Sequence, residues 1–320
     1  MDEGLPEQLP FLPSRIISHE HGILVTGMDG ELAVLDEHFN LKSPVNKPFP
    51  MSISHAVIVD NRLYATWIDG ELMMARMGCI PLDQPIQQGP ERAALRTSTT
   101  ILDAKHPAGS TWSHVLDAEP LGLTAVEGIL VFTLWNKGTY GLDLSANEIW
   151  RMPPPNWQYE RKRPRMNEVI GLSINDGECF VTSKGGRFQK LNVITGECLE
   201  ETMHEQPEAP LEQVFHHQQH TLICSTNGEV AWVHNGDLKR KLKLNGPVQS
   251  ATWDGFIHGW RIAGWREELL LTDDVVSRQS WNEIPIHVHP VEGGGIVLFN
   301  DGTWANSPHE HPPIRLNEEE

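Results

Sequence analysis

The amino-acid sequence predicts an all-β protein, a seven-bladed β-propeller of four-stranded antiparallel blades. Three observations support this prediction. A strand–turn–strand pattern occurs seven times, a glycine lies at the turn in six of the copies, and further strand-like runs flank the copies. Most copies follow one another after about 35 to 48 residues, which is the length of one four-stranded blade.

The seven copies share a β-rich run, a short turn and a second β-rich run. They begin at Ile23, Arg62, Ile129, Cys179, Thr221, Trp260 and Gly295. The turn glycines are Gly30, Gly70, Gly138, Gly186, Gly228 and Gly302, and the sixth copy has Trp265-Arg266-Glu267 instead. Asp-Gly, Asn-Gly and Gly-Gly pairs supply the positive φ of a tight hairpin turn, so each copy is predicted to be two antiparallel strands.

An inner strand is predicted before each hairpin, and an outer strand follows several of them. The predicted inner strands are 16–19, 55–59, 121–126, 169–174, 214–217, 249–253 and 286–290, and the outer ones include 148–152, 197–203, 238–244 and 276–281. Such a blade cannot cover both of its apolar faces, so the copies must stack around an axis and close into a ring. Either 9–12 or 313–316 could supply the strand that closes it.

The whole chain, 1–320, is predicted to be one propeller domain with two unusual segments. An insertion at 78–111 follows the second hairpin, and only 91–95 within it could form a turn of helix. A Pro-rich, basic connection at 151–168 joins the third and fourth blades.

The composition favours an acidic cytoplasmic protein. Asp and Glu number 43 against 25 Lys and Arg, a net charge of -18, which repels phosphate backbones and makes nucleic acid an unlikely partner. The first ten residues lack a basic, apolar leader, and no run reaches the roughly 18 apolar residues of a membrane helix. The four cysteines are scattered, without zinc or redox spacing, and are expected to be reduced.

Two copies carry a short sequence motif over their third and fourth strands. It consists of Leu142-Asp143-Leu144 with Glu148-Ile149-Trp150, and of Thr195-Gly196-Glu197 in the next copy. These residues resemble repeats of the quinoprotein-like, or PQQ-like, β-propeller superfamily, and more loosely WD repeats, without indicating a specific family. The resemblance implies the fold. The superfamily's enzymes use an adjacent cysteine pair, which this chain lacks, so their chemistry is not implied.

Histidines on the predicted inner strands are candidate metal ligands. Inner strands line the channel of a propeller, so His55, His216, and His287 or His289 could converge there and bind zinc or another divalent metal. The alternative, which we favour, is that these histidines bond to backbone and water. His309 and His311 are expected in a solvated tail.

Arginines and tryptophans form a candidate binding face. The arginines are Arg151, Arg161, Arg163 and Arg165, and the tryptophans are Trp67, Trp135 and Trp265, which end second strands beside hairpin turns. Those turns share one face with the links between blades, and Trp and Arg on one face are typical anchors for protein partners. The alternatives are a solvated basic loop that neutralises acidic neighbours, and tryptophans wedged between blades. Trp232 and Trp304 are expected to be wedged.

The sequence therefore favours a non-catalytic scaffold without a cofactor, which binds a protein partner through its turn-rich face. The alternative is a metal-assisted hydrolase or lactonase with a divalent metal in the central channel. A third possibility is binding of an anionic ligand by residues 161–165. No nucleophile elbow or phosphate-binding loop occurs in the sequence.

Overall fold

Seven antiparallel sheets follow one another along the chain and form the seven blades of a β-propeller, as predicted. The structure is a computed structural model that describes residues 5–19, 22–97, 104–159, 165–175, 177–203 and 208–309. Five blades have four strands, whereas the first and the last have three within the described residues. A single helical turn, α1 (Arg92–Leu95), occurs in the described chain, inside the predicted insertion.

In each blade the strands pair in chain order, from the innermost to the outermost. The first three blades contain β1 (Pro13–His19), β2 (Gly22–Gly27) and β3 (Leu32–Leu35); β4 (Ile53–Val59), β5 (Arg62–Asp69), β6 (Met74–Pro81) and β7 (Trp112–Leu116); and β8 (Pro120–Val126), β9 (Ile129–Leu134), β10 (Gly138–Asp143) and β11 (Glu148–Met152). Blades 4 and 5 contain β12 (Val169–Asn175), β13 (Glu178–Ser183), β14 (Arg187–Leu191) and β15 (Cys198–Met203); and β16 (Leu211–His217), β17 (His220–Ser225), β18 (Glu229–His234) and β19 (Asp237–Lys243). Blades 6 and 7 contain β20 (Ser250–Asp254), β21 (Gly259–Gly264), β22 (Glu267–Leu271) and β23 (Val276–Ser280); and β24 (Pro285–Val291), β25 (Gly294–Phe299) and β26 (Trp304–Asn306).

The apolar core of the described residues lies between blades rather than within them. Its seven clusters each join two neighbouring blades, and one of them joins blade 7 to blade 1. In that cluster, Ile16 and Val25 of blade 1 are packed with Ile286 and Leu298 of blade 7. The ring is therefore closed by apolar packing of the same kind that joins the other blades.

Segment 9–12 crosses the junction of the first and last blades without forming a strand. The Leu9 N–H donates to the Gly302 carbonyl (3.0 Å), and the Met28 N–H donates to the Leu12 carbonyl (2.9 Å). This segment therefore bonds to the hairpin turns of both blades but does not complete a sheet. The other candidate, 313–316, lies outside the described residues.

A β-bulge near the start of the inner strand is shared by six blades. The pairing register shifts at Pro13/Arg15, Ile53/His55, Pro120/Gly122, Val169/Gly171, Leu211/Gln213 and Pro285/His287. A bulge changes the direction in which the following side chains point. The third residue of each of these strands lines the same central cavity. Five of the inner strands begin one to three residues earlier than the sequence predicted, whereas β12 begins at Val169 as predicted and β20 begins one residue later, at Ser250.

Candidate functional site

The turns between second and third strands lie together on one face of the ring, here called the loop face. All inner strands run in the same direction, so each of these turns returns to the end of the blade where the inner strand began. In blades 3 and 6 the turns expose Trp135 (49%) and Trp265 (47%), two of the predicted binding residues. In blades 1 and 2 the corresponding turns expose Met28 (56%) and Met73 (91%).

The two methionines were missed by sequence reasoning, although they occupy the same turns as the tryptophans. Met28 precedes Asp29-Gly30, and Met73 follows Gly70-Glu71-Leu72. The signal that could have identified them is a large apolar residue beside a hairpin turn, where a solvated turn would be polar. Four turns of the loop face therefore present large apolar side chains to solvent.

A recess of about 640 Å³ opens on the loop face between blades 3 and 4. Trp135 lines it from the turn of blade 3, and Pro154, Pro155 and Arg165 line it from the connection between the two blades. Gly138 closes the turn with φ +109°, and a Cβ there would lie 1.9 Å from the Met152 carbonyl oxygen. Only glycine fits this position, which holds the Trp135 turn against the connection.

Two aromatic residues anchor the connection beneath the recess. Trp157 is 2% exposed and belongs to the core cluster between blades 3 and 4. The Tyr159 hydroxyl lies 2.6 Å from the Ser183 hydroxyl and 3.1 Å from the Met166 carbonyl oxygen, to which it donates. The floor of the recess is therefore fixed by packing and hydrogen bonds to blade 4.

The described arginines of the basic segment have carboxylate partners. Arg151 pairs with Glu148 at 2.7 Å, and Arg165 pairs with Glu168, which also pairs with Lys184. Although burial of Glu168 acts in the opposite direction, hydrogen bonds from Lys184 and Arg165 lower its pKa. These pairs fit the alternative in which basic residues neutralise acidic neighbours. Arg161 and Arg163 lie outside the described residues.

Trp67 is completely buried, unlike the other two predicted tryptophans of the face. Strand β5 continues to Asp69, so Trp67 lies inside the strand rather than in the turn. It packs in the cluster between blades 1 and 2, with its ring 6.1 Å from that of Phe49. Its expected exposure on the binding face was wrong, whereas the alternative of a wedge between blades matches its position. Trp232 and Trp304 are buried as expected.

The structure does not bring the four candidate metal ligands together. On β24, His289 follows His287 by two residues along the channel. On β16, the third residue of the strand, which corresponds to His287, is Gln213, and His216 follows it by three residues. His216 does not line the channel cavity, and its ring stacks on that of Phe180, with ring centroids 5.8 Å apart. Across the described ranges, no group of three His, Cys, Asp or Glu side chains could hold a metal ion.

The expected solvated tail is also partly buried. His309 is 8% exposed, and its carbonyl oxygen accepts a hydrogen bond from the buried Arg261 guanidinium (3.2 Å). The expectation for His309 was therefore wrong, because its hydrogen bond with Arg261 holds this part of the chain against blades 6 and 7. His311 lies outside the described residues.

A second cavity, of about 560 Å³, lies in the central channel and is lined by inner-strand residues of all seven blades. Two predicted metal ligands, His55 and His287, line it. Burial and the nearby Arg15 lower the pKa of His55 to about 4, and burial with His289 lowers that of His287 to about 3. Both histidines are therefore neutral near pH 7.

These two histidines predict a loss of stability in mild acid. Their pKa values are about 4 and 3 when folded and 6.5 otherwise, so below pH 6.5 the unfolded chain binds protons that the folded protein does not. The free energy of unfolding should fall as the pH drops from 6.5 to 5, by up to about 1.4 kcal/mol per pH unit for each histidine.

Urea unfolding at a series of pH values between 5 and 7 would measure this dependence. His287→Asn should remove only the part of it that His287 contributes, whereas His38→Asn should leave it unchanged, because His38 is an exposed surface residue whose side chain is 62% accessible. An unchanged pH dependence in His287→Asn would contradict the prediction.

No described helix is long and apolar enough to cross a membrane. No protein-family model matches the sequence, and no curated protein matches it. Several solved structures do share the fold, as the following three illustrate.

The β-propeller domain of Cps50 (Swd1) from Myceliophteria thermophila has a TM-score of 0.65 at 9% identity, over 93% of this chain and 96% of that one. The WD40 β-propeller domain of Doa1 has a TM-score of 0.62 at 10% identity, over 93% and 92%. BamB from Moraxella catarrhalis has a TM-score of 0.58 at 10% identity, over 93% and 96%. The chain therefore has the β-propeller fold of WD40 and BamB-type structures, without a specific family.

Proposed function

We propose that this protein is a non-catalytic scaffold that binds a protein partner through its loop face. The observation that carries the proposal is the set of exposed apolar side chains on four turns of that face, Met28, Met73, Trp135 and Trp265. Exposed apolar residues grouped on one surface are typical of protein interaction sites. The likeness to WD40 propellers is consistent with this role.

The recess between blades 3 and 4 gives the loop face a place to receive a partner's side chain. Trp135 and the two prolines Pro154 and Pro155 supply apolar walls, and Arg165 supplies a charge at its edge. Trp and Arg around such a recess are the residue types that contribute most to binding energy when a partner covers them. The partner is a protein rather than nucleic acid, because the chain carries a net charge of -18.

The test is capture of partners from a lysate of the source cells with purified wild-type protein and a Trp135→Ala/Trp265→Ala variant. Each exposed tryptophan that anchors the partner should contribute about 2 kcal/mol, so its loss weakens binding by about 30-fold. The double variant should therefore lose proteins that the wild type retains.

The matched control is Phe256→Ala. Phe256 is 64% exposed, but it lies in the turn between β20 and β21, at the opposite end of the ring. Its replacement should leave the captured proteins unchanged, and thermal melting should show that all variants are folded. If the double variant and the control capture the same proteins as the wild type, the loop face is not the binding surface.

A further inference from the structure

The central channel contains two side chains of opposite charge that have no ionic partner in the described part of the chain. Arg15, on β1, donates a hydrogen bond to the Ser54 carbonyl oxygen (3.2 Å), and no described carboxylate pairs with it. Glu212, on β16, forms neither an ion pair nor a hydrogen bond with any described residue. Both side chains line the same 560 Å³ cavity.

Both residues are exposed, because their side chains reach the open space of the channel. Partial burial by the channel wall lowers the pKa of the Arg15 guanidinium and raises the pKa of the Glu212 carboxyl group. They extend from blades 1 and 5, on well-separated parts of the ring, and no ion pair joins them. Neither charge has a described carboxylate or cationic group to neutralise it, whereas the fully buried Arg261 is paired with Asp254.

We propose that the central channel binds a small zwitterion, with the anionic group of the ligand on Arg15 and its cationic group on Glu212. A guanidinium binds a carboxylate through two parallel hydrogen bonds, and a carboxylate accepts hydrogen bonds from an ammonium group. One molecule with both groups therefore satisfies both side chains. A simple anion would meet the Glu212 carboxylate, and a simple cation would meet Arg15.

The other polar groups of the channel fit a ligand of this class. His55 and His287 are neutral near pH 7, so they add hydrogen-bonding groups without changing the charge balance. The His287 Nε2 atom is buried and has no hydrogen-bond partner among the described residues. The cavity volume lies within the roughly 300–1,000 Å³ typical of small-molecule sites.

Titration calorimetry with a series of ω-amino acids tests the proposal. Glycine, β-alanine, 4-aminobutyrate and 6-aminohexanoate carry the same two charges at increasing separation, so one length should match the span between Arg15 and Glu212 and bind best. Butyrate, hexanoate, butylamine and hexylamine are matched probes with one charge, and each should bind at least ~10-fold more weakly than the best zwitterion.

Variants of the two charged residues locate the site. Arg15→Gln and Glu212→Gln should each weaken binding of the best zwitterion by at least ~10-fold, because each removes one charge-assisted contact. Arg15→Lys keeps the charge and should recover part of the affinity. Arg96→Gln, at an exposed position just after α1, should leave binding unchanged. Thermal melting of each variant separates a lost site from a lost fold.

Three results would overturn the proposal. The first is that none of the zwitterions binds wild-type protein at millimolar concentration. The second is that hexanoate or hexylamine binds as tightly as 6-aminohexanoate and the other zwitterions. The third is that both glutamine variants bind the best zwitterion with wild-type affinity. None of these results bears on partner capture by the loop face, so the two proposals fail separately.

Discussion

Replacement of Arg261 by methionine is expected to lower the free energy of unfolding by about 3–5 kcal/mol. Arg261, on β21, is 1% exposed and pairs with Asp254 at 2.7 Å and with Glu268 at 3.8 Å, both of which are fully buried. Without the guanidinium, two buried carboxyl groups lose their cation. Burial raises the pKa of Glu268, and Arg261 opposes that rise, so the loss is expected to favour the protonated form of Glu268.

The same guanidinium ties the last blade to blade 6. It donates to the Ser307 hydroxyl oxygen (3.1 Å) and to the His309 carbonyl oxygen (3.2 Å), just after the final strand β26. The Ser307 hydroxyl in turn donates to Glu268. Arg261→Met should therefore loosen the end of the ring as well as destabilise the whole fold.

Urea unfolding monitored by tryptophan fluorescence would measure the loss. Lys137→Met is the control, because Lys137 pairs with Asp117 at 2.8 Å on the surface, where both side chains are largely exposed. Surface ion pairs contribute little to stability, so this variant should unfold at nearly the wild-type midpoint. Equal midpoints for Arg261→Met and Lys137→Met would contradict the assigned role of the buried cluster.

Replacement of Trp67 by alanine is expected to cost about 3–5 kcal/mol of stability, and to affect the fold rather than a binding surface. The Trp67 ring is 0% exposed and fills the space between blades 1 and 2 against Phe49. Removing it leaves a cavity that the surrounding strands cannot close. Trp135 and Trp265 are about half exposed, so their replacement should change stability by less than about 1 kcal/mol.

The three single alanine variants form a matched series, because sequence reasoning placed the three tryptophans in one class. Their urea midpoints, measured side by side, should separate Trp67→Ala from the other two. If all three variants lost the same stability, the burial of Trp67 and the exposure of Trp135 and Trp265 would not decide their roles.

The candidate binding face was only partly predictable. Trp135 and Trp265 could be assigned to the loop face because they lie beside hairpin turns in the sequence, and the structure has both within those turns. Trp67 could not be separated from them, since the end of β5 and the position of Phe49 are set by tertiary packing. Of the predicted basic cluster, the described Arg165 lies between β11 and β12, in the connection of blades 3 and 4. Its pairing with Glu168, however, depends on how the connection folds back.

The residues that line the central channel were less predictable from the sequence than those of the loop face. Histidines on the inner strands were predicted as possible metal ligands, but their positions along the channel and the directions of their side chains depend on the bulges and on the register of each strand. Arg15 and Glu212 carried no signal in the sequence, because neither belongs to a motif and they lie in blades 1 and 5. Only closure of the ring places both on one cavity.

The sequence by itself determined the repeated unit. Turn glycines such as Gly30 and Gly138, and apolar residues in strand-like runs, determine the backbone conformation of only a few neighbouring residues. They therefore specify the hairpins and their number without contacts to distant parts of the chain. Tertiary structure decided which side chains are buried between blades and which charges meet in the channel. These outcomes depend on contacts between segments far apart in the chain, which form only when seven blades pack against one another and the ring closes.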